Sequence, residues 1–122
     1  MKNKKTFSIR ERAGSFKYAF EGIKEFFRSE HNAWLHLLAT VMVIVLAVVV
    51  HVSGFELIAL ILSIGFVWMA ELFNTVVEKM MDFISIEQNS KIRFIKDLSA
   101  AAVLIAAIVA FITGCMVFIP KL

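Results

Sequence analysis

The sequence predicts an all-α membrane protein, with an N-terminal amphipathic surface helix followed by three transmembrane helices. Three observations carry that reading. Of 122 residues, 60% are hydrophobic and 19% charged, against ~45–50% and ~25% in an ordinary soluble domain. Helix breakers are scarce, with 5 Gly and 1 Pro. Mean hydropathy is +0.81, and the apolar residues gather into runs long enough to cross a bilayer. At this length the chain, 1–122, reads as a single domain. No strand, Gly-rich turn and helix follow one another as a βαβ nucleotide fold requires, and the lone Cys115 excludes a disulfide framework.

The surface helix is expected over about 7–29. Phe16, Phe20, Ile23 and Phe27 recur at the spacing of one helix face, with Lys17, Glu21, Lys24, Glu25 and Arg28 between them. Such a helix lies on a leaflet with its phenylalanines down and its lysines among headgroups; the plainer alternative packs it on the protein's own end. A span needs ~20 residues at 1.5 Å rise each. The runs at about 33–52 and 98–119 qualify outright, and the run at about 55–77 qualifies with Glu71 at or inside one membrane face.

Lys and Arg set the orientation. Eight precede the first span (Lys2 to Arg28), and Lys79, Lys91, Arg93 and Lys96 link the second span to the third. The Val52–Glu56 link has none, and the C-terminal end has Lys121 alone. That asymmetry puts the N-terminus in the cytoplasm and the C-terminus outside. It also explains the net charge of +3 by topology, with no nucleic-acid partner. No signal-type apolar stretch begins within the first thirty residues, so cleavage is not expected.

The placement of the acids carries the chemistry. Glu71, Asn74, Glu78 and Asp82 sit at i, i+3, i+7 and i+11 and share one face of a helix leaving the second span. An acid in a span costs about 2.5–3.5 kcal/mol at the bilayer centre, and such residues face a bundle interior, a partner or a function. Two carboxylates two turns apart near the cytosol suit Mg²⁺, which takes one or two carboxylates and leaves its other positions to water and phosphate. Solvated helix-end charges are the ordinary alternative for Glu78 and Asp82. Glu30, Asn32 and His36 form a second group where the first span begins; a histidine there is also an ordinary hydrogen-bonded interior residue. Lys96 and Asp97 open the third span, where a lysine grips phosphate as a point charge or merely anchors the helix. No P-loop, HExxH or Ser/His/Asp arrangement is present. From the residues alone, a cation-binding or cation-passing helical oligomer fits as well as an enzyme.

The stretch Glu71-Leu-Phe-Asn74-Thr-Val-Val-Glu78-Lys-Met-Met-Asp82 resembles the signature of the prokaryotic diacylglycerol kinase family, E-x-x-N-[ST]-x-x-E-x-x-x-D. Lys96-Asp97 with the following Ser99-Ala-Ala-Ala, the Ser15–Gly22 stretch around Tyr18, and Glu30 extend the likeness over about 8–119. The resemblance implies a homotrimeric inner-membrane lipid kinase whose active sites are shared between protomers. ATP with Mg²⁺ arrives from the cytoplasm and a lipid alcohol from the bilayer. By position, Glu71 would be the general base and Asn74 would steady it, while Glu30 and Glu78 would hold the metal on the phosphates. Lys96, Asp97, Tyr18, an early arginine (Arg12 or Arg10) and the loop residues Glu87 and Asn89 would contact the nucleotide. The loop Ile86-Glu87-Gln88-Asn89 departs from the Pro/Ser-Glu-Tyr/Phe-His pattern frequent in the family. Ala100, where diacylglycerol enzymes carry serine, and the Asn32/His36 pair look more like the undecaprenol kinase branch. They place undecaprenol ahead of diacylglycerol as the expected lipid.

Overall fold

A computed structural model describes residues 6–87 and 89–122. The chain falls into two compact units, one ending at Leu38 and the other running from Ala39 to Leu122.

In the first unit, α1 spans Ile9–Ser29. The sequence pattern starts the helix at residue 7, but Ser8 is extended and its side chain accepts from the Glu11 N–H at 3.4 Å. That cap sets the start at Ile9 and leaves Phe7 outside. Glu11 in the first turn and Arg28 in the last both suit the helix dipole. Phe16 and Phe20 are 69% and 70% exposed, so much of the apolar face has no cover within the chain. A helix of this kind is stable where a bilayer or another protein surface supplies that cover. A single extended residue, Glu30, ends α1, and α2 (His31–Val49) begins at once.

The second unit holds the rest of α2, α3 (Gly54–Ile84), α4 (Ser90–Phe118) and a closing 3-10 turn over Ile119–Lys121. The helices α2, α3 and α4 are each long and apolar enough to cross a membrane, and the chain is a membrane protein. Its core is small. Ala47 of α2, Leu60 of α3 and Val117 of α4 meet in one cluster, with Val43, Val52 and Phe118 packed around it. Further along, the Trp68 indole N–H donates to Thr40 Oγ1 at 3.0 Å and ties α3 to α2.

Tight caps close this end. Val52 N–H donates to Ala47 O and His51 N–H to Val48 O, at 3.2 and 3.3 Å, which is the Schellman pattern. His51 takes the left-handed position of that motif, at φ 54°. Ser53 and Glu56 then form a reciprocal capping box at the start of α3. Lys121 Nζ lies 3.1 Å from Glu56 Oε1 and fastens the 3-10 turn to the same place.

Helix α3 is longer than a bilayer requires. Its 31 residues extend about 46 Å at 1.5 Å per residue, against a hydrocarbon core of ~30 Å. Helix α4 starts eight residues before the apolar run at Leu98, because Asn89 Oδ1 accepts from Lys91 N–H and Ile92 N–H and caps it at Ser90. Both helices therefore carry polar extensions at the end opposite the Schellman turn and the Ser53–Glu56 box.

His51 bears the cost of a side chain in the left-handed region. Replacing it with Gly should stabilise the protein by about 0.5–1 kcal/mol, and a β-branched Val should destabilise it by about as much. The unfolding midpoint in detergent measures both.

Candidate functional site

Depth along α3 sorts its polar face. Measured from Gly54, Glu71 lies about 26 Å along the helix, Glu78 about 36 Å and Asp82 about 42 Å. If α3 enters the hydrocarbon at its capped end, Glu71 sits near the opposite edge of the apolar layer, and Glu78 and Asp82 project beyond it. Glu71, Asn74 and Glu78 are all half-buried, whereas Asp82 is exposed. The buried edge of this face is incomplete: Asn74 Oδ1 is enclosed by protein yet has no hydrogen-bond partner. Leaving such an acceptor unsatisfied costs about 1–3 kcal/mol, and it stands ready for an N–H, an O–H or a cation.

The first turns of α4 supply the opposite charge. Lys91, Arg93 and Lys96 lie at its N-terminal end, where the helix dipole is also positive. Lys96 Nζ donates to Asp82 Oδ1 at 2.6 Å across α3 and α4. Asp97 and Ala100 are exposed and Ser99 is half-buried. In the connecting loop, Glu87 is exposed, with its N–H and C=O both bonded to Ser85 Oγ. The Asn89 side-chain oxygen is committed to capping α4, and its amide NH₂ takes no part in the cap. Gln88 lies outside the described residues.

Within the first unit, Arg10, Arg12, Ser15 and Tyr18 line one open depression on α1. The Arg12 guanidinium stands 5.4 Å from the Phe7 ring centroid, a cation–π contact that orders it. The elbow between α1 and α2 presents Glu30, which is half-buried. Its N–H donates to Phe26 O at 2.9 Å and its C=O accepts from Ala33 N–H at 3.2 Å. Trp34 locks the bend: its indole N–H donates to Phe27 O at 3.0 Å, and its ring meets Phe27 edge-on at 5.1 Å. Asn32 is exposed and His36 half-buried, one turn apart on α2.

Among the described residues, no three His, Cys, Asp or Glu side chains converge as a metal cluster. Mg²⁺ does not need one, since one or two carboxylates together with substrate phosphates hold it. The half-buried carboxylates of this face, with a vacant amide oxygen between them, fit a hard cation of that kind.

Two contacts go beyond what the sequence pattern predicts. The Asp82–Lys96 pair depends on how α3 and α4 pack, which spacing does not report. The Trp34–Phe27 bond had a weak signal in two aromatics flanking a polar elbow.

The prokaryotic diacylglycerol kinase family model matches residues 17–118. An undecaprenol kinase of Bacillus subtilis is 34% identical over 108 residues, covering 88% of each chain. A diacylglycerol kinase of Synechocystis is 33% identical over 88% of this chain and 62% of its own length. The Escherichia coli K12 diacylglycerol kinase is 31% identical over 81% of each.

Because Asn74 Oδ1 has no partner, Asn74→Leu should leave the unfolding midpoint unchanged or raise stability by about 1–2 kcal/mol. A clear loss of stability would mean that the amide is structural.

Proposed function

The chain belongs to the prokaryotic diacylglycerol kinase family and is a membrane lipid kinase, and we propose that it phosphorylates undecaprenol with ATP and Mg²⁺ at the cytoplasmic face of the inner membrane. The whole chain acts as one kinase domain, assembled as a homotrimer with shared sites, with its N-terminus in the cytoplasm and its C-terminus outside. The observation that carries this reading is the half-buried Glu71–Asn74–Glu78 face, with its unpartnered Asn74 oxygen, on a helix long enough to pass from hydrocarbon into water.

Glu71 acts as the general base. Its depth along α3 suits a lipid hydroxyl held at the membrane edge, and it takes the proton as the oxygen attacks the γ-phosphorus. The bond from that phosphorus to the bridging oxygen of ADP breaks on the opposite side. Asn74 steadies the carboxylate or the incoming hydroxyl. Glu30 and Glu78 hold Mg²⁺, which when bound neutralises charge on the phosphate oxygens. Lys96, assisted by the positive start of α4, meets the phosphates, and Asp97, Glu87, Asn89, Tyr18 and Arg12 contact the rest of the nucleotide. Positioning and charge neutralisation suffice for phosphoryl transfer, so the absence of a P-loop is no obstacle.

Undecaprenol is favoured by Ala100, by the Asn32/His36 pair and by similarity to a relative bearing that name. Diacylglycerol is the second reading, supported by the relatives named for it.

Transfer of label from γ-labelled ATP to each lipid in mixed micelles tests both. Undecaprenol should label faster, and Glu71→Gln should lower the rate by about 10²–10⁴, the usual worth of a general base, without disturbing the oligomer. Faster labelling of diacylglycerol reverses the substrate order, and an active Glu71→Gln removes the base assignment. Glu78→Gln should shift the Mg²⁺ dependence to higher concentration in the same assay.

A further inference from the structure

Asp82 and Lys96 face each other from α3 and α4, fourteen positions apart, with Nζ donating to Oδ1 at 2.6 Å. Little about the pair suits it to holding the fold. The Asp82 side chain is 64% exposed, so water competes for the ions, and an exposed pair adds little stability. Helices α3 and α4 already pack against each other through many other residues. What the contact does fix is a long side chain that would otherwise sample many rotamers.

The arrangement also leaves the ammonium usable. A lysine head has three N–H donors, and Asp82 takes one of them. The Lys96 side chain is 26% exposed, so its stem is partly sheltered while its head is held from one side. Asp82 lies one helical turn beyond Glu78 on the same face of α3. A carboxylate in that place lowers the net attraction for an anion, a disadvantage that makes sense only if placement of the lysine is worth more.

We propose that Asp82 is a positioning residue for the nucleotide: it holds the Lys96 ammonium at the charged end of α3 with two donors free for phosphate oxygens. The proposal rests on the reading of Lys96 as a phosphate-binding residue and adds the residue that aims it. Removing the carboxylate frees the lysine to wander, so nucleotide binding suffers while the proton-transfer machinery at Glu71 does not.

The test is ATP-dependent lipid phosphorylation by the intact oligomer, comparing Asp82→Ala, Asp82→Asn, Lys96→Ala and the Asp82→Ala/Lys96→Ala double variant. Asp82→Ala should raise KM for ATP roughly 3–10-fold, the scale of one exposed charge-assisted contact. Its kcat should change less than its KM, and its unfolding midpoint should stay put. Asp82→Asn, which keeps an acceptor oxygen, should fall between Asp82→Ala and the unaltered protein. In the Lys96→Ala background the Asp82→Ala effect should vanish. An unchanged KM in Asp82→Ala, an Asp82→Ala penalty that persists undiminished in the Lys96→Ala background, or a lowered midpoint with parallel loss of kcat overturns the proposal. If Lys96→Ala raises KM and Asp82→Ala does not, only the positioning role falls. If Lys96→Ala leaves KM unchanged, the reading of Lys96 falls and the positioning role with it.

Discussion

Three slender spans do not enclose enough space to hide their own side chains, and the rest of the structure follows from that. Among the described residues, the buried apolar side chains are Phe26, Ala33, Ala47, Leu60, Ile92 and Val117. Leucines, isoleucines and phenylalanines along all the spans remain uncovered. The bilayer completes the core, so the hydrophobic effect acts chiefly by keeping the chain in lipid rather than by folding it on itself. In that medium a backbone must satisfy its own hydrogen bonds, and unbroken helices with well-made caps are the solution found here.

The same medium makes stray polarity conspicuous. Polar groups within the spans find partners close by: Trp68 donates to Thr40, and Thr113 Oγ1 donates to the Val109 carbonyl at 2.8 Å. Against that background, an enclosed amide oxygen with nothing to accept is out of keeping with its surroundings. Asn74 sits between two acids on the face that matches the kinase signature. An unsatisfied group and a sequence motif thus point to one place from independent directions.

Much of this was legible in the residues. The apolar runs gave the spans, the phenylalanine spacing gave α1, and the separated acids pointed to the family. The cation-passing alternative arose because acids at helical spacing do not by themselves name a reaction; membership of a kinase family resolves it. Other features depended on geometry that spacing does not encode. The start of α4 was hidden because hydropathy reports where lipid begins, while Asn89 determines where the helix begins. The lock at Glu30 depends on an indole reaching back seven residues to a carbonyl. The left-handed His51 was hidden too, since glycine is the residue usually expected in that position.

One consequence follows from the continuity of α3. Its start is pinned by the Ser53–Glu56 box and by Lys121, and no break intervenes before Glu71. The helix is therefore a ruler, and the acid sits a fixed distance of about 26 Å from its anchored end. With the capped end held at one membrane face, a thicker bilayer draws the carboxylate into hydrocarbon and a thinner one leaves it among the headgroups. Acyl-chain length in the surrounding lipid thereby sets the depth at which Glu71 lies, and the host membrane becomes part of the environment of that carboxylate.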